Sequence, residues 1–391
     1  MLHNNNLLFY YWHMQQKDKA LAFTSFLAQF TIAMVNFSLV YFLRDKHHFS
    51  SSEIGIASSI YTIFYFIFCI VFSKLSLRVN NKSKIIASLI GMGVSVMFVI
   101  LSPNKWSVFG SLMLYGSTMA LLWPNVESWI TEGKEGQCLS ESVSSFNFSW
   151  SFGAGLSTAA GGILSSISIS YPLYASIALF VVASLFIVFI KDDANGKKEE
   201  KIVLVDNSTP LRYLCWAGVT IMYIGYSLII TIFPLYASAS LGFSETLTGN
   251  LLLFRGVTAC ISFVILGRTS FWQFKAWVIF AVQIVFVILA LIMTQIQSKI
   301  VFAPFFVVFG FVFALSYVLS IFHGASGAKN REKRMMVHEV LLTVGTVIGS
   351  LFGGIIYDNF SFNTVLYAIS LATTVVIVVE MLLYKIKLLR K

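Results

Sequence analysis

The chain has 391 residues, of which 57% are apolar, 16% aromatic and 11% charged, with a net charge of +10. A soluble domain carries roughly a quarter charged residues, and one soluble core has no room for this much apolar area. Composition therefore excludes a soluble enzyme. A nucleic-acid partner is not expected either, because the lysines and arginines sit in short stretches between long apolar runs, where membrane topology explains them.

Taken in chain order, residues 1–19 read as a polar, Asn-rich tail in which Met14 offers a second start. No cleavable signal is evident, since the first apolar run, 20–43, has no small-residue cleavage site behind it and is long enough to remain as a membrane helix. A helix of about 20 apolar residues crosses a bilayer. Further candidate spans cover 53–73, 84–102, 107–130, 140–166 and 171–190. A charged and polar linker over 191–211 follows, then spans at 212–238, 246–267, 274–296, 300–322, 335–356 and 362–384, and a short tail at 387–391. The expected fold is an all-α membrane protein of twelve transmembrane helices, with six-helix bundles over 20–190 and 212–386. Basic residues cluster after spans two, six, ten and twelve (Lys74, Arg78, Lys82, Lys84; Lys191, Lys197, Lys198, Lys201, Arg212; Lys329, Arg331, Lys333, Arg334; Lys385, Lys387, Arg390, Lys391). Short cytoplasmic loops carry the excess of Lys and Arg, so both termini are expected to be cytoplasmic and the protein multi-pass in the cell membrane.

The halves repeat one another. FSSSEIG (Phe49–Gly55) matches FSETLTG (Phe243–Gly249) at an offset of 194, which also pairs Ser73-Lys74 with Gly267-Arg268 and Gly116 with Gly310. Gly161 and Gly162 in WSFGAGLSTAAGG fall on Gly353 and Gly354 in TVGTVIGSLFGG at offset 192. A parallel six-plus-six duplication is an architecture of secondary transporters, with the substrate near the midplane between the halves.

On span count, linker, repeat and degenerate motifs, the chain resembles the major facilitator superfamily over essentially its full length. SKLSLRVNNKSK (Ser73–Lys84) is similar to the family's loop motif between spans two and three. It keeps Leu75, Arg78 and Lys82, whereas Ser73, Leu77 and Asn80 replace its glycine, aspartate and second glycine. The second-half counterpart, LGRTSFWQFK, keeps Gly267 and Arg268. Arg78 and Arg268 are thus gating candidates, although the missing aspartate puts the family's charge-relay latch in doubt. GAGLSTAAGG in span five resembles an antiporter motif, but Thr158 stands where that motif has proline. The resemblance implies a monomer that moves a small solute by alternating access, with spans five and eleven packed across the halves. Gly153, Ser157 and Gly161, and likewise Gly345, Gly349 and Gly353, recur every four residues. That spacing puts small residues on one helix face for close contact, either as ordinary tight packing or as a smooth surface between the halves that permits rocking.

Ionisable groups within a span mark function by default. Arg255, in NLLLFRGVTACISF (Asn250–Phe263), lies about ten residues from either end of span eight and is too deep to snorkel. Either it is a translocation-site cation, whose planar fork suits carboxylate, phosphate or nitrate, or it is locked in a structural pair. Nitrate porters in the family pair arginines on spans two and eight, but Tyr61 holds the matching position, so that identity is not supported. Glu127 and Glu339, near the cytoplasmic ends of spans four and eleven, are candidates for gating or for coupling to a proton; wetted interfacial carboxylates are the alternative. Glu380 is read as a peripheral acid near the cytoplasmic end, Asp358 as solvated at the outer end, and His323 and His338 as solvated near the interface.

The family resemblance implies that spans one, four, seven and ten line the centre. They offer Gln29 and Asn36, Trp123 and Asn125, Tyr223, Tyr226 and Ser227, and Ser316, Tyr317 and Ser320; Asn147 and Trp150 on span five lie across from span eight. The strongest ligand candidates are Arg255, Asn36, Gln29, Tyr226, Tyr317, Asn147 and Trp150. Pro124 is expected to bend span four and free a carbonyl. The four cysteines, Cys69, Cys138, Cys215 and Cys260, show no metal or redox spacing. Without Walker, GxSxG or HExxH motifs, no ATP-driven pump, membrane hydrolase, metal or cofactor is expected. The sequence thus reads as a transporter of a small organic solute, with Arg255 meeting an anionic group. An exporter of amphipathic compounds and a non-transporting sensor of the same fold are the alternatives.

Overall fold

The computed structural model describes the backbone of residues 16–75, 79–131, 136–189, 208–328 and 331–389. The N-terminal tail, Arg78 and most of the linker lie outside the described residues. Among the described residues every regular element is helical. The first half contains α1 (Gln16–His47), α2 (Ser51–Leu75), α3 (Asn81–Leu101), α4 (Lys105–Met119), α5 (Trp123–Thr131), α6 (Gly136–Ile167) and α7 (Tyr171–Phe189). The second contains α8 (Leu211–Thr231), α9 (Phe233–Ala239), α10 (Glu245–Gly267), α11 (Ala276–Met293), α12 (Lys299–Ala325), α13 (Arg331–Asn359) and α14 (Phe362–Leu389).

Among the described residues fourteen helices make twelve traverses, because spans four and seven are each broken in two. Span four breaks between Met119 and Trp123, just before Pro124. Proline has no N–H and cannot bond the carbonyl four residues back, here that of Ala120. The freed carbonyl faces the Cys69 thiol, with sulfur and oxygen 3.9 Å apart, and Asn125 Nδ2 donates to Leu121 O at 2.9 Å. Span seven, expected as one helix over 212–238, breaks at Ile232 ahead of Pro234. Span twelve runs on to Leu389, beyond its expected end.

Each half has its own apolar core. One is centred on residues such as Leu89, Tyr115, Trp129 and Phe180, the other on Phe233, Phe302, Phe306, Phe309 and Phe362. The halves meet where α2 packs on α13 and α6 on α10. The repeat seen in sequence is reproduced in packing. Gly116 rests on the backbone of Tyr61, and Gly310, at the same offset of 194, rests on the backbone of Arg255.

The four-residue glycine stripes serve ordinary tight packing, one of the two roles the spacing allowed. Gly153 and Gly161 press on Phe26, Phe37 and Ser38 of α1, and Gly345, Gly349 and Gly353 press on Thr220, Ile224 and Leu228 of α8. These faces hold helices together inside each half. The seam uses the adjacent face: Gly155 against Gly256, Thr158 against Gly249, Gly162 against Glu245, Gly55 against Ser350 and Gly354 against Ser51. Successive residues lie about 100° apart round a helix of 3.6 residues per turn, so a helix packed tightly on two sides needs small residues at i and i+1. The pairs Gly161-Gly162 and Gly353-Gly354 supply them.

Hydrogen bonds reinforce the seam at one end. Asp358 accepts from the backbone N–H groups of Ser51 (2.9 Å) and Ser52 (2.6 Å). Ser59 Oγ lies 3.1 Å from Ser350 Oγ, and Thr246 Oγ1 donates to Gly162 O at 3.3 Å. At the other end, which carries Arg268 and Arg334, the side chains of Glu127 and Glu339 are exposed. The bonds of Asp358 thus clasp the halves at the Ser51 end.

Candidate functional site

Arg255 sits about three turns into α10, a helix capped by Ser244 Oγ, which accepts from Leu247 N at 3.2 Å. Its position is fixed on two sides. Its own carbonyl abuts Gly310, and the next residue, Gly256, abuts Gly155 of the other half. The side chain is 4% exposed. Its guanidinium carbon lies 4.9 Å from the Tyr226 ring centroid and 5.8 Å from that of Phe313. Nε is enclosed without an acceptor, and among the described residues no carboxylate or carbonyl bonds the guanidinium. The fixed salt bridge allowed by the sequence therefore has no partner among those residues. The ring faces supply part of the compensation, since a cation over an aromatic face gains about 0.5–2 kcal/mol.

An aromatic wall extends from this point. Tyr226 stacks on Phe313 at 5.0 Å, Tyr223 lies 5.5 Å from both, and Tyr317 lies 6.4 Å from Tyr223. Trp150 of the first half meets Tyr317 of the second edge-on at 6.4 Å, so this pair bridges the seam. Trp150 Nε1 donates to Asn147 Oδ1 at 3.0 Å, which orients the indole and occupies that amide oxygen. The structure thus gathers Arg255, Tyr226, Tyr317 and Trp150 into one neighbourhood, with Asn147 behind Trp150. Phe313 belongs to it too. A phenylalanine among so many gave no signal in sequence.

Other candidates are placed differently. Gln29 and Asn36 are half-buried on the same face of the mostly buried α1, and Asn36 Oδ1 is enclosed without a donor. No hydrogen bond links either of them to Arg255. Ser227 Oγ donates to Thr346 O at 2.8 Å, Ser320 Oγ lies 2.8 Å from His338 Nδ1, and Trp123 packs edge-on against Phe146. These three residues join helices. Arg268 is exposed at the C-terminus of α10 and has no ion pair among the described residues.

His323 and His338 are both buried, not solvated as expected. His323 Nε2 accepts from the Phe274 N–H at 3.2 Å while Nδ1 lies 3.0 Å from Leu319 O. Only the Nδ1–H tautomer satisfies both bonds. His338 packs edge-on against Tyr317 at 5.2 Å. His323 thus has partners for both ring nitrogens, whereas His338 has one for Nδ1 only, its Nε2 being enclosed without a partner among the described residues.

Glu380 is likewise buried. It accepts from Gln283 Nε2 at 2.9 Å, between α11 and α14 and away from the seam. Gln283 was missed, although a lone amide in the run AWVIFAVQIVFVILALIM was a legible signal. Asp358 is exposed at the expected end of its span, and its bonds to α2 add a link between the halves. Glu127 and Glu339 are both exposed, near the end of α5 and the start of α13. Among the described residues no group of three or more His, Cys, Asp or Glu is placed to hold a metal.

A sequence model of the Major Facilitator Superfamily matches residues 21–327. The chain belongs to this superfamily. It is a multi-pass membrane transporter, and the superfamily is not one of enzymes. Among solved structures, this superfamily member is similar to a bacterial homologue of the human lysosomal transporter Spinster in an inward-facing, unoccupied conformation. Identity is 13%, coverage is 96% of each chain and the TM-score is 0.73. It is also similar to the nucleoside transporter NupG, with 12% identity, coverage of 95% of this chain and 100% of that one, and a TM-score of 0.72. At such identity the likeness shows the fold. No match to a curated protein was found.

Proposed function

We propose that this transporter moves a small organic solute bearing an anionic group, by alternating access of its two halves, with Arg255 as the ligand for that group. One observation carries the reading: a guanidinium buried at the seam with no acid partner among the described residues. A charge at that depth is costly unless something neutralises it, and its fork pairs well with a carboxylate or phosphate. Tyr226, Tyr223, Tyr317 and Trp150 supply rings against the solute's apolar part. The glycine contacts of the seam suit two bundles that rock about a central site. Glu127 and Glu339, both exposed, serve gating or take up a coupling proton, and Arg268 and Arg78, the latter outside the described residues, serve gating with them. Asn36 and Gln29 contribute from α1. The protein acts as a monomer in the cell membrane, with both termini cytoplasmic.

The test is flux into proteoliposomes, using organic anions, neutral sugars and lipophilic cations, with and without a pH gradient. Wild type and Arg255→Gln are run side by side. Anion flux lost in a folded variant supports the reading. Flux confined to cations or neutral compounds and unchanged in the variant ends it, and favours an exporter of amphipathic compounds. Binding without flux favours a sensor.

A further inference from the structure

Arg255 is the one Lys or Arg in the sequence that lies deep within a span. Its Nε is enclosed, while its terminal nitrogens make no hydrogen bond among the described residues and are not enclosed. Those two nitrogens therefore stay accessible at the seam. Beside them the aromatic wall rises in two levels. Tyr226 and Phe313 pair at 5.0 Å next to the guanidinium, and Tyr223 and Tyr317 pair at 6.4 Å beyond them. Tyr223 precedes Tyr226, and Tyr317 follows Phe313, by close to one turn. The second level thus lies about 5 Å further along both helices. Trp150 of the first half meets this level at Tyr317. Tyr223, Tyr226 and Tyr317 are half-buried, and their hydroxyls make no hydrogen bond among the described residues and are not enclosed. Each offers a free donor and acceptor. His338 gives no donor to this space, for its Nδ1 is engaged with Ser320 and its Nε2 is enclosed.

We propose that the solute is a monocarboxylate whose body carries a hydroxyl or carbonyl oxygen about one ring's length from the carboxylate, and that Tyr223 and Tyr317 read this oxygen. The inference rests on the role proposed for Arg255 and extends it. The head group follows from charge. One guanidinium neutralises one negative charge, whereas a phosphate monoester brings nearly two. The surplus charge would find no second Lys or Arg within a span, and an uncompensated charge at that depth is unfavourable. The two free terminal nitrogens also match the two oxygens of a carboxylate. The body follows from the hydroxyls. A solute bound here displaces water from the tyrosines, and an apolar body leaves them unpaired at the full cost of their desolvation. A hydroxyl or carbonyl oxygen at the second level replaces the lost bonds while the carbon frame lies on the ring faces. A site built to hydrogen-bond one group rejects the analogue that lacks it.

The experiment is calorimetric titration of the full-length protein in detergent at about pH 8, where a phosphate monoester is mostly dianionic. The probes are para-hydroxybenzoate, para-toluate and para-hydroxyphenyl phosphate. Para-hydroxybenzoate is expected to bind about tenfold or more tighter than para-toluate, which puts a methyl group where the hydroxyl was; that is the scale of one polar group left unpaired. It should exceed the phosphate ester by a similar factor. A double variant, Tyr223→Phe with Tyr317→Phe, keeps both rings and should bring para-hydroxybenzoate down to the level of para-toluate, whose own binding reports that the variant is folded. Equal binding of para-hydroxybenzoate and para-toluate by wild type overturns the inference. So does a phosphate ester that binds as tightly as para-hydroxybenzoate, a double variant that keeps the preference, or silence of all three probes. Arg255→Gln separates the two readings. If both carboxylates weaken in it yet wild type shows no preference between them, only the role of the tyrosines falls. If both bind Arg255→Gln as tightly as wild type, the role proposed for Arg255 falls as well.

Discussion

The guanidinium of Arg255 lies 4.9 Å from the ring centroid of Tyr226, on a neighbouring helix of the same half, and no carboxylate among the described residues meets it. The contact holds the charge in place without neutralising it. If Arg255 binds the solute, Arg255→Lys should rescue little, because an ammonium lacks both the planar fork and the broad contact with the ring. Anion flux is expected to fall at least tenfold in Arg255→Lys and nearly vanish in Arg255→Gln. Tyr226→Leu should cost a smaller factor, on the scale of one cation–π contact of about 0.5–2 kcal/mol. Initial rates per folded protein, with folding checked by thermal melting, measure all three.

The two glycine faces predict two different phenotypes. Gly153 and Gly345 pack inside a half, so enlarging either should destabilise the protein by about 1–3 kcal/mol through overpacking. Gly256 faces Gly155 across the seam. Gly256→Val should leave each half folded while blocking the close approach that alternation needs, with flux down at least tenfold and a smaller change in melting temperature. Melting curves and flux on the same preparations separate the two.

Asp358 joins the end of α13 to the first N–H groups of α2, where the helix dipole favours a negative charge. Asp358→Asn keeps the shape and removes the charge. Hydrogen bonds to a charged group contribute about 1.5–3 kcal/mol, so the variant should shift population toward forms separated at this end. Spin labels at Lys46 and Asn359 would report the shift as a longer distance component. An unchanged distribution would show that the clasp rests on the glycine contacts alone.

Glu380 and Gln283 form a buried pair remote from the seam. Glu380→Gln should be nearly neutral, whereas Glu380→Ala strands the Gln283 amide at a cost of about 1–3 kcal/mol. Transport per folded molecule should be unchanged in both. A specific loss of flux in Glu380→Gln at full stability would instead tie this pair to coupling.

Hydropathy and spacing were enough to read the spans and the repeat, because every backbone polar group in a bilayer must be satisfied within its own helix. That constraint is local, so the sequence displays it. Pro124 showed where a helix would break for the same reason, and Arg255 stood out because a charge inside a span is conspicuous whatever surrounds it. Tertiary structure alone decided what each small or polar residue faces. Gly161 and Gly162 are adjacent in sequence, yet one packs on α1 and the other across the seam. His338 and Glu339 are also adjacent, yet one is buried against Ser320 and Tyr317 while the other is exposed. A helix turns about 100° between neighbours, and in a chain apolar on nearly every side, hydropathy does not mark which of those directions meets lipid, protein or solute.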